Sequence, residues 1–248
     1  MSSDHFSTQS AEYSKFRPSY PTELFDWLAS ICSERDLAWD CACGNGQATL
    51  GLSSHFRAIV ATDLSQSQLD HAPASSKIEW RLAHAEDSGL ESSSVDLITV
   101  AQALHWFDLA KFWKEVNRVL KPGGVIAVWS YGVFELEDPS INAICDRFYY
   151  ETVGDFWPPE RKIVESGYGS LPFPFLEISA PAFQLQLNWS LDQLLGYIAS
   201  WSATTRYRQA KGTDPIPELQ KTLNRYFMTP TMRVSWPLSI RVGRKSGS

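Results

Sequence analysis

The chain has 248 residues, 44% of them hydrophobic, a formal charge of −6 and no run of basic residues. That is enough for one large globular domain or a domain with a cap, and the acidity argues against a nucleic-acid duplex or an anionic membrane face as the main partner. No stretch of about 18 apolar residues occurs and the N-terminus lacks the basic and apolar blocks of a signal peptide, so no membrane association and a cytoplasmic setting are expected.

Pro21 stands just inside a predicted helix whose Leu24, Phe25, Leu28 and Ile31 form one stripe. Residues 37–42 predict a first strand, which runs into Asp40-Cys41-Ala42-Cys43-Gly44-Asn45-Gly46-Gln47 and then a helix. Two glycines one residue apart at a strand-to-helix turn let the backbone approach a ligand where a Cβ would block it. Residues 58–62 predict a second strand ending in Asp63, near the roughly 20-residue distance expected between a glycine turn and a ribose-binding carboxylate. A nucleoside ligand is therefore expected. A dinucleotide fingerprint would need a glycine where Thr49 stands, and no G-x-x-x-x-G-K-[ST] phosphate loop is present. Asp40, an acid just before the turn, suits a cationic ligand better than a pyrophosphate. S-adenosylmethionine, with a sulfonium and an α-amino group, is preferred over NAD.

Further strands are predicted at 78–82, 95–101 and 124–130, alternating with helices in the manner of βαβ units. Asp108 is placed to cap a helix carrying Leu109, Phe112, Trp113, Val116 and Leu120, which Lys121-Pro122-Gly123-Gly124 stops. Pro139 opens a helix with Ile141, Ile144, Cys145, Phe148 and Tyr149 on one face. A proline-broken aromatic stretch follows. Residues 176–187 read as a strand, Ser190 with Gln193 as a capping box for a helix through Trp201, 216–227 as a helix and 234–242 as the last strand. The four cysteines form no disulfide framework or zinc spacing, and Cys41 and Cys43 read as packing residues. His5, His55, His71 and His84 show no metal-ligand pattern, so no metal is expected.

Taken together, these residues resemble the class I S-adenosylmethionine-dependent methyltransferases. The matching pieces are the Asp40–Gln47 loop, Asp63, Ala85-Glu86-Asp87, the 101–108 segment and the Lys121–Gly124 turn. Within that superfamily the chain looks like the type 11 branch, nearest the trans-aconitate-methyltransferase-like proteins. The leader Tyr13-Ser14-Lys15-Phe16-Arg17-Pro18-Ser19-Tyr20-Pro21 and the Ser200-Trp201-Ser202 segment with Tyr207, Gly212, Asp214 and Pro215 carry the narrower match. The resemblance implies an α/β fold with a doubly wound, seven-stranded, mostly parallel sheet whose last strand is antiparallel, with helical and aromatic cap insertions. It implies one methyltransferase domain over 1–248: a leader and helix to 35, a cofactor-binding core over 36–130, cap and acceptor insertions over 131–233, and the last strand and tail from 234.

Carried over residue by residue, Ala42, Gly44 and Gly46 would contact the methionine part of S-adenosylmethionine through backbone. Asp63 would hold the ribose, with Leu64 beside it; Ala85 and Glu86 would lie along the adenine. Gln102 and Ala103 would run along the methionine part, Arg17 would pair with its carboxylate, and Tyr13 would close over it. His105 and Trp106 would stand between cofactor and acceptor, with His105 the candidate catalytic residue. Ala42 departs from the family's commoner aliphatic-Gly-Cys pattern; alanine costs stability if the backbone needs positive φ. Trp157, Tyr168, Trp201 and Arg206 are candidate acceptor-pocket residues, Arg206 because a guanidinium can clamp a carboxylate in two-pronged fashion.

The expected reaction is methyl transfer to a small-molecule acceptor, with a carboxylate favoured because it needs no general base near pH 7. A phenol or amine would need one, and His105 is the nearest candidate. A non-catalytic or regulatory cofactor-binding protein, an RNA or protein methyltransferase and an NAD-dependent oxidoreductase are the competing readings. Oligomeric state is not legible in the sequence.

Overall fold

The computed structural model describes residues 19–247. The chain divides into two compact units. The first comprises Ser19–Gly132, Lys162–Gln184 and the residues from Pro237 onward, and the second comprises Val133–Arg161 and Leu185–Trp236. The strands, in chain order, are β1 (Leu37–Cys41), β2 (Ala58–Asp63), β3 (Ile78–Leu82), β4 (Val95–Ala101), β5 (Leu120–Tyr131), β6 (Glu135–Leu136), β7 (Leu176–Ile178), β8 (Gln184–Trp189) and β9 (Met232–Arg244).

In the first unit the strand order is β3-β2-β1-β4-β5-β9, with β7 on the other side of β9. The pairs among β1 to β5 are parallel, β9 runs antiparallel to β5, and β7 is antiparallel to β9. This is the expected mostly parallel sheet with an antiparallel β9. Parallel strands covered on both faces read as near-continuous apolar runs, and β4 is buried along its first six positions. Its one acid, Asp96, is reconciled with burial by three partners. Oδ2 accepts from the Asp36 and Leu37 N–H groups, and Oδ1 lies 2.6 Å from Lys121 Nζ. The Lys121–Gly124 stop lies inside β5. There the pairing jumps from Val95↔Leu120 to Leu97↔Val125, and Gly123 takes φ 76° within the irregularity.

The chain leaves β1 toward β2 and β3 on one side and returns to β4 on the other. That makes β1/β4 a topological switch point, and open α/β sheets bind ligands outside the carboxyl ends at such a point. The glycine loop follows β1 directly.

The second unit is mostly helical, with β6 and β8 pairing to the first part of β9. Its helix Pro139–Arg147 starts from Asp138, whose side chain accepts from the Ser140 and Ile141 N–H groups. A π-helical turn, Phe148–Thr152, follows. The Ser190/Gln193 capping box is present at the head of the helix Leu191–Ala199. That helix stops short of Trp201, which has extended dihedrals and opens a second helix, Ser202–Lys211, ended by Gly212 at φ 68°. The expected 176–187 strand is two strands, β7 and β8, separated by a segment containing Pro181. The last helix ends at Leu223, not Phe227. Tyr149, Trp157, Tyr197, Trp201 and Trp236 form the unit's aromatic core, with ring centroids 4.7 Å apart for Tyr149–Trp157 and 5.6 Å for Tyr197–Trp236. Among the described residues, no helix is long and apolar enough to cross a membrane.

Candidate active site

The loop after β1 is shaped by three residues in the left-handed region: Ala42 (φ 54°), Gly44 (φ 56°) and Gly46 (φ 90°). Positive φ is free for glycine and costs a residue with a Cβ about 1 kcal/mol or more. Ala42 meets the strain anticipated from its sequence. The two glycines differ. Among the described residues, a Cβ on Gly44 would find only Gln68 Oε1, at 3.9 Å, so that face is open to them. On Gly46 it would lie 2.4 Å from a ring carbon of Trp80. The room left at Gly46 is filled by the chain's own indole, and its N–H is spent on Cys43 O at 3.0 Å. Gly46 shapes the turn, and the expected backbone contact with the methionine part falls to backbone atoms other than its N–H. Trp80, on β3, carried no signal in the sequence beyond its place in a strand.

Asp63 closes β2 with its carboxylate turned toward the loop. Oδ2 accepts from the Gly44 N–H and Oδ1 from the Ser65 N–H, each at 2.8 Å. Two backbone donors fix the orientation and leave lone pairs on both oxygens for ligand hydroxyls. Leu64, next to it, is 60% exposed, and Leu82, paired with Asp63 across β3, is 55% exposed. Large apolar side chains open at the carboxyl ends of neighbouring strands suit a flat apolar ligand surface. Leu82 was not anticipated.

Asp40 does not front a ligand, contrary to the sequence reading. It is fully buried, and its oxygens accept from Thr49 Oγ1 at 2.5 Å and Thr99 Oγ1 at 2.7 Å. Burial pushes its carboxyl up to about 6, against the pull of those hydroxyls. Burial likewise raises the thiols of Cys41 and Cys43, the first of them wholly enclosed, which keeps both protonated.

Beyond β3, Ala85 is buried and Glu86 is half-buried. Glu86 Oε1 accepts from the Asp108 N–H at 2.9 Å, so one oxygen is committed to the start of the next helix. Asp108 caps that helix through the Lys111 N–H, as expected. After β4, Gln102 sits at φ 60°, its N–H bonded to Trp129 O, and Ala103 is buried. A short 3-10 turn, Leu104–Trp106, follows. It presents His105 half-buried, with Nδ1 3.1 Å from Tyr168 Oη, and Trp106 55% exposed with its ring 4.6 Å from the imidazole. Trp106 is thus open rather than packed under the following helix.

Tyr13 and Arg17 lie outside the described residues. Of the acceptor-pocket candidates, Tyr168 belongs to the first unit and touches His105, while Trp157 and Trp201 belong to the aromatic core of the second. Arg206 is exposed on its helix. In that unit it is Arg161, not anticipated, that is gripped: its guanidinium lies 4.9 Å from the Trp157 ring and its Nε donates to Tyr149 Oη at 2.6 Å.

A family model described as a methyltransferase domain matches residues 39–128. A candidate methyltransferase of Dictyostelium discoideum is 38% identical over 229 residues, covering 91% of this chain and 87% of that one. A candidate S-adenosylmethionine-dependent methyltransferase of Saccharomyces cerevisiae is 31% identical, with 96% of each chain covered. Among solved structures, a candidate type II methyltransferase of Anaeromyxobacter dehalogenans is 44% identical and superposes with a TM-score of 0.89 over 94% of this chain and all of that one.

Proposed function

The chain belongs to the S-adenosylmethionine-dependent methyltransferases, and on that premise we propose that it methylates a small-molecule acceptor at a carboxylate oxygen, in the manner of the trans-aconitate-methyltransferase-like branch. The observation that carries the site's placement is the Asp63 carboxylate, oriented by the Gly44 and Ser65 N–H groups beside the open face of Gly44. These residues fit the cofactor. Asp63 accepts from the ribose hydroxyls, Leu64 and Leu82 offer apolar contact to the adenine, and Ala85 with the second oxygen of Glu86 borders its edge. Ala42, Gly44, Gln102 and Ala103 line the methionine part.

Bound S-adenosylmethionine supplies a methyl group on a sulfonium, a carbon electrophile with a neutral leaving group. The chain's own part is to hold that group and an acceptor oxygen in line and to keep water away, since alignment alone is worth many orders of magnitude in rate. His105 and Trp106, presented by the turn after β4, face the acceptor. A carboxylate is already ionised near neutral pH, so the chain need not remove a proton from it. The match of the leader and of the Ser200–Ser202 segment to the trans-aconitate branch supports the carboxylate.

Purified protein incubated with methyl-labelled cofactor and panels of carboxylic acids and phenols tests the reading. Label is expected in base-labile methyl esters. Label on phenols alone sinks it.

A further inference from the structure

We infer that the outer edge of β3 is a docking surface for a second copy of this chain, paired antiparallel about a two-fold axis through Trp80. The inference stands apart from the acceptor reading and holds whichever group is methylated.

β3 ends the first unit's sheet on one side, with β2 as its neighbour. Lys77 O accepts from the Ile59 N–H and the Ala83 N–H donates to Asp63 O, so the odd-numbered residues spend their backbone groups on β2. Successive strand residues turn these groups to opposite sides, so those of Ile78, Trp80 and Leu82 point outward. Among the described residues, the Trp80 and Leu82 N–H groups have no partner, and the Ile78 N–H reaches Ser75 O at 3.4 Å. Natural sheets blunt such edges with prolines, lysines, bulges or very short strands. The far edge of this sheet follows that rule: β7 is three residues long and lies between Pro174 and Pro181. β3 does not. It runs five residues in unbroken register with β2, with neither proline nor lysine inside it.

The strand's own sequence selects the occupant. Ile78-Glu79-Trp80-Arg81-Leu82 has an apolar residue at each end, an indole at its centre and one charge of each sign between. Antiparallel pairing about Trp80 sets Ile78 opposite the partner's Leu82 and Glu79 opposite the partner's Arg81, and the two-fold axis repeats both. Hydrogen bonds then join the outward groups of Ile78, Trp80 and Leu82. That leaves Glu79 and Arg81 as the closer, non-hydrogen-bonded pair, with Cα atoms about 4.5 Å apart. Opposite charges directly across a strand pair stabilise it and like charges oppose it. A second copy supplies the match by symmetry, and an isologous contact of this kind closes at a dimer.

In the single chain, Arg81 Nε and Nη2 fall back on Glu79 of the same strand at 3.0 and 2.7 Å, with the Glu79 side chain 58% exposed. Exchanging so exposed a pair for a cross-strand one costs little. The face that carries these two charges is open. Residues 83–94 pass along it without forming a helix, beside a groove of about 560 Å³ lined by Lys77, Glu79, Arg81, Leu90 and Glu91.

Sedimentation velocity of the full chain over about 1–300 μM tests this, a five-residue edge pair being a small interface. Wild-type protein should move from monomer toward dimer as concentration rises, and amide hydrogen exchange at Trp80 and Leu82 should slow with it. Glu79→Arg and Arg81→Glu each set like charges opposite one another and should weaken association about 10–100-fold. Mixed in equal amounts, the two variants present opposite charges again, and association should return. The mixture separates lost pairing from a folding defect, as does the double variant carrying both exchanges, which matches itself. A chain that stays monomeric throughout overturns the inference, whether that edge is left to water or taken by a strand of another protein. A dimer that both single variants leave intact lies on another surface and overturns it equally.

Discussion

The two sides of the loop after β1 are built from the same residue types and do opposite things. On one side an aspartate, Asp40, is enclosed by two threonine hydroxyls, and a glycine, Gly46, is covered by the Trp80 indole. On the other an aspartate, Asp63, is held by two backbone N–H groups with lone pairs to spare, and a glycine, Gly44, is open on its Cβ side among the described residues. The closed side sets the shape of the turn, and the open side is the one proposed to meet the ligand. Changes on the closed side should therefore appear in stability, and changes on the open side in cofactor affinity.

The sharpest break of that division is Gly46→Ala. A Cβ would approach Trp80 to 2.4 Å and would hold φ 90°. Positive φ and overpacking together predict about 2–5 kcal/mol of lost stability, read by chemical denaturation. A variant with unchanged stability but weakened cofactor binding would put Gly46 on the open side.

Asp40 gives the pH counterpart. Its carboxyl is raised from 3.8 to about 6 in the folded chain, so between those values the native state holds more proton than the unfolded one. Stability from this group is therefore greatest below about pH 4, falls as pH rises to about 6, and stays reduced above it, by at most about 3 kcal/mol. Asp40→Asn should flatten that descent in denaturation midpoints taken from pH 4 to 8. Parallel curves for the two proteins would mean that the buried charge carries no such cost.

This division also marks where the sequence stops being legible. A near-continuous apolar run placed β4 at its observed bounds, because a strand buried on both faces leaves that pattern by itself. The loop and Asp63 were legible because positive φ and strand-end acids are local features. Asp40 was misread as ligand-facing, since its burial depends on Thr99, which β4 brings alongside from 59 positions later. Trp80 over Gly46 is hidden for the same reason. In the second unit, proline broke the apparent 176–187 strand, and the stop before Trp201 has no glycine or proline to announce it. How Tyr168 meets His105 lies 63 positions apart and was legible only as two separate candidates.

On the open side, Asp63→Asn should weaken S-adenosylmethionine binding by roughly 10–100-fold, since a hydrogen bond to a charged acceptor is worth about 1.5–3 kcal/mol. Stability without cofactor should fall by only about 1 kcal/mol, because the amide keeps one oxygen for a backbone N–H. Titration calorimetry beside thermal melting reads both. A larger loss in stability than in binding would make Asp63 a loop anchor and nothing more.

The smallest effect separates the loop's shape from its strain. Ala42 holds φ 54° with a Cβ, a conformation that glycine adopts freely. Ala42→Gly should relieve about 1 kcal/mol of backbone strain in the native state and, by loosening the unfolded chain, return part of it. The net gain is therefore a few tenths of a kcal/mol up to about 1, measurable as a shift in denaturation midpoint. Because Ala42 borders the methionine part of the proposed site, its Cβ also restricts how closely a ligand can approach the backbone. If the strain belongs only to the turn, stability rises and cofactor affinity stays level. If the methyl instead shapes the pocket, affinity shifts by more than stability does, and Ala42 belongs with Gly44 on the open side of the loop.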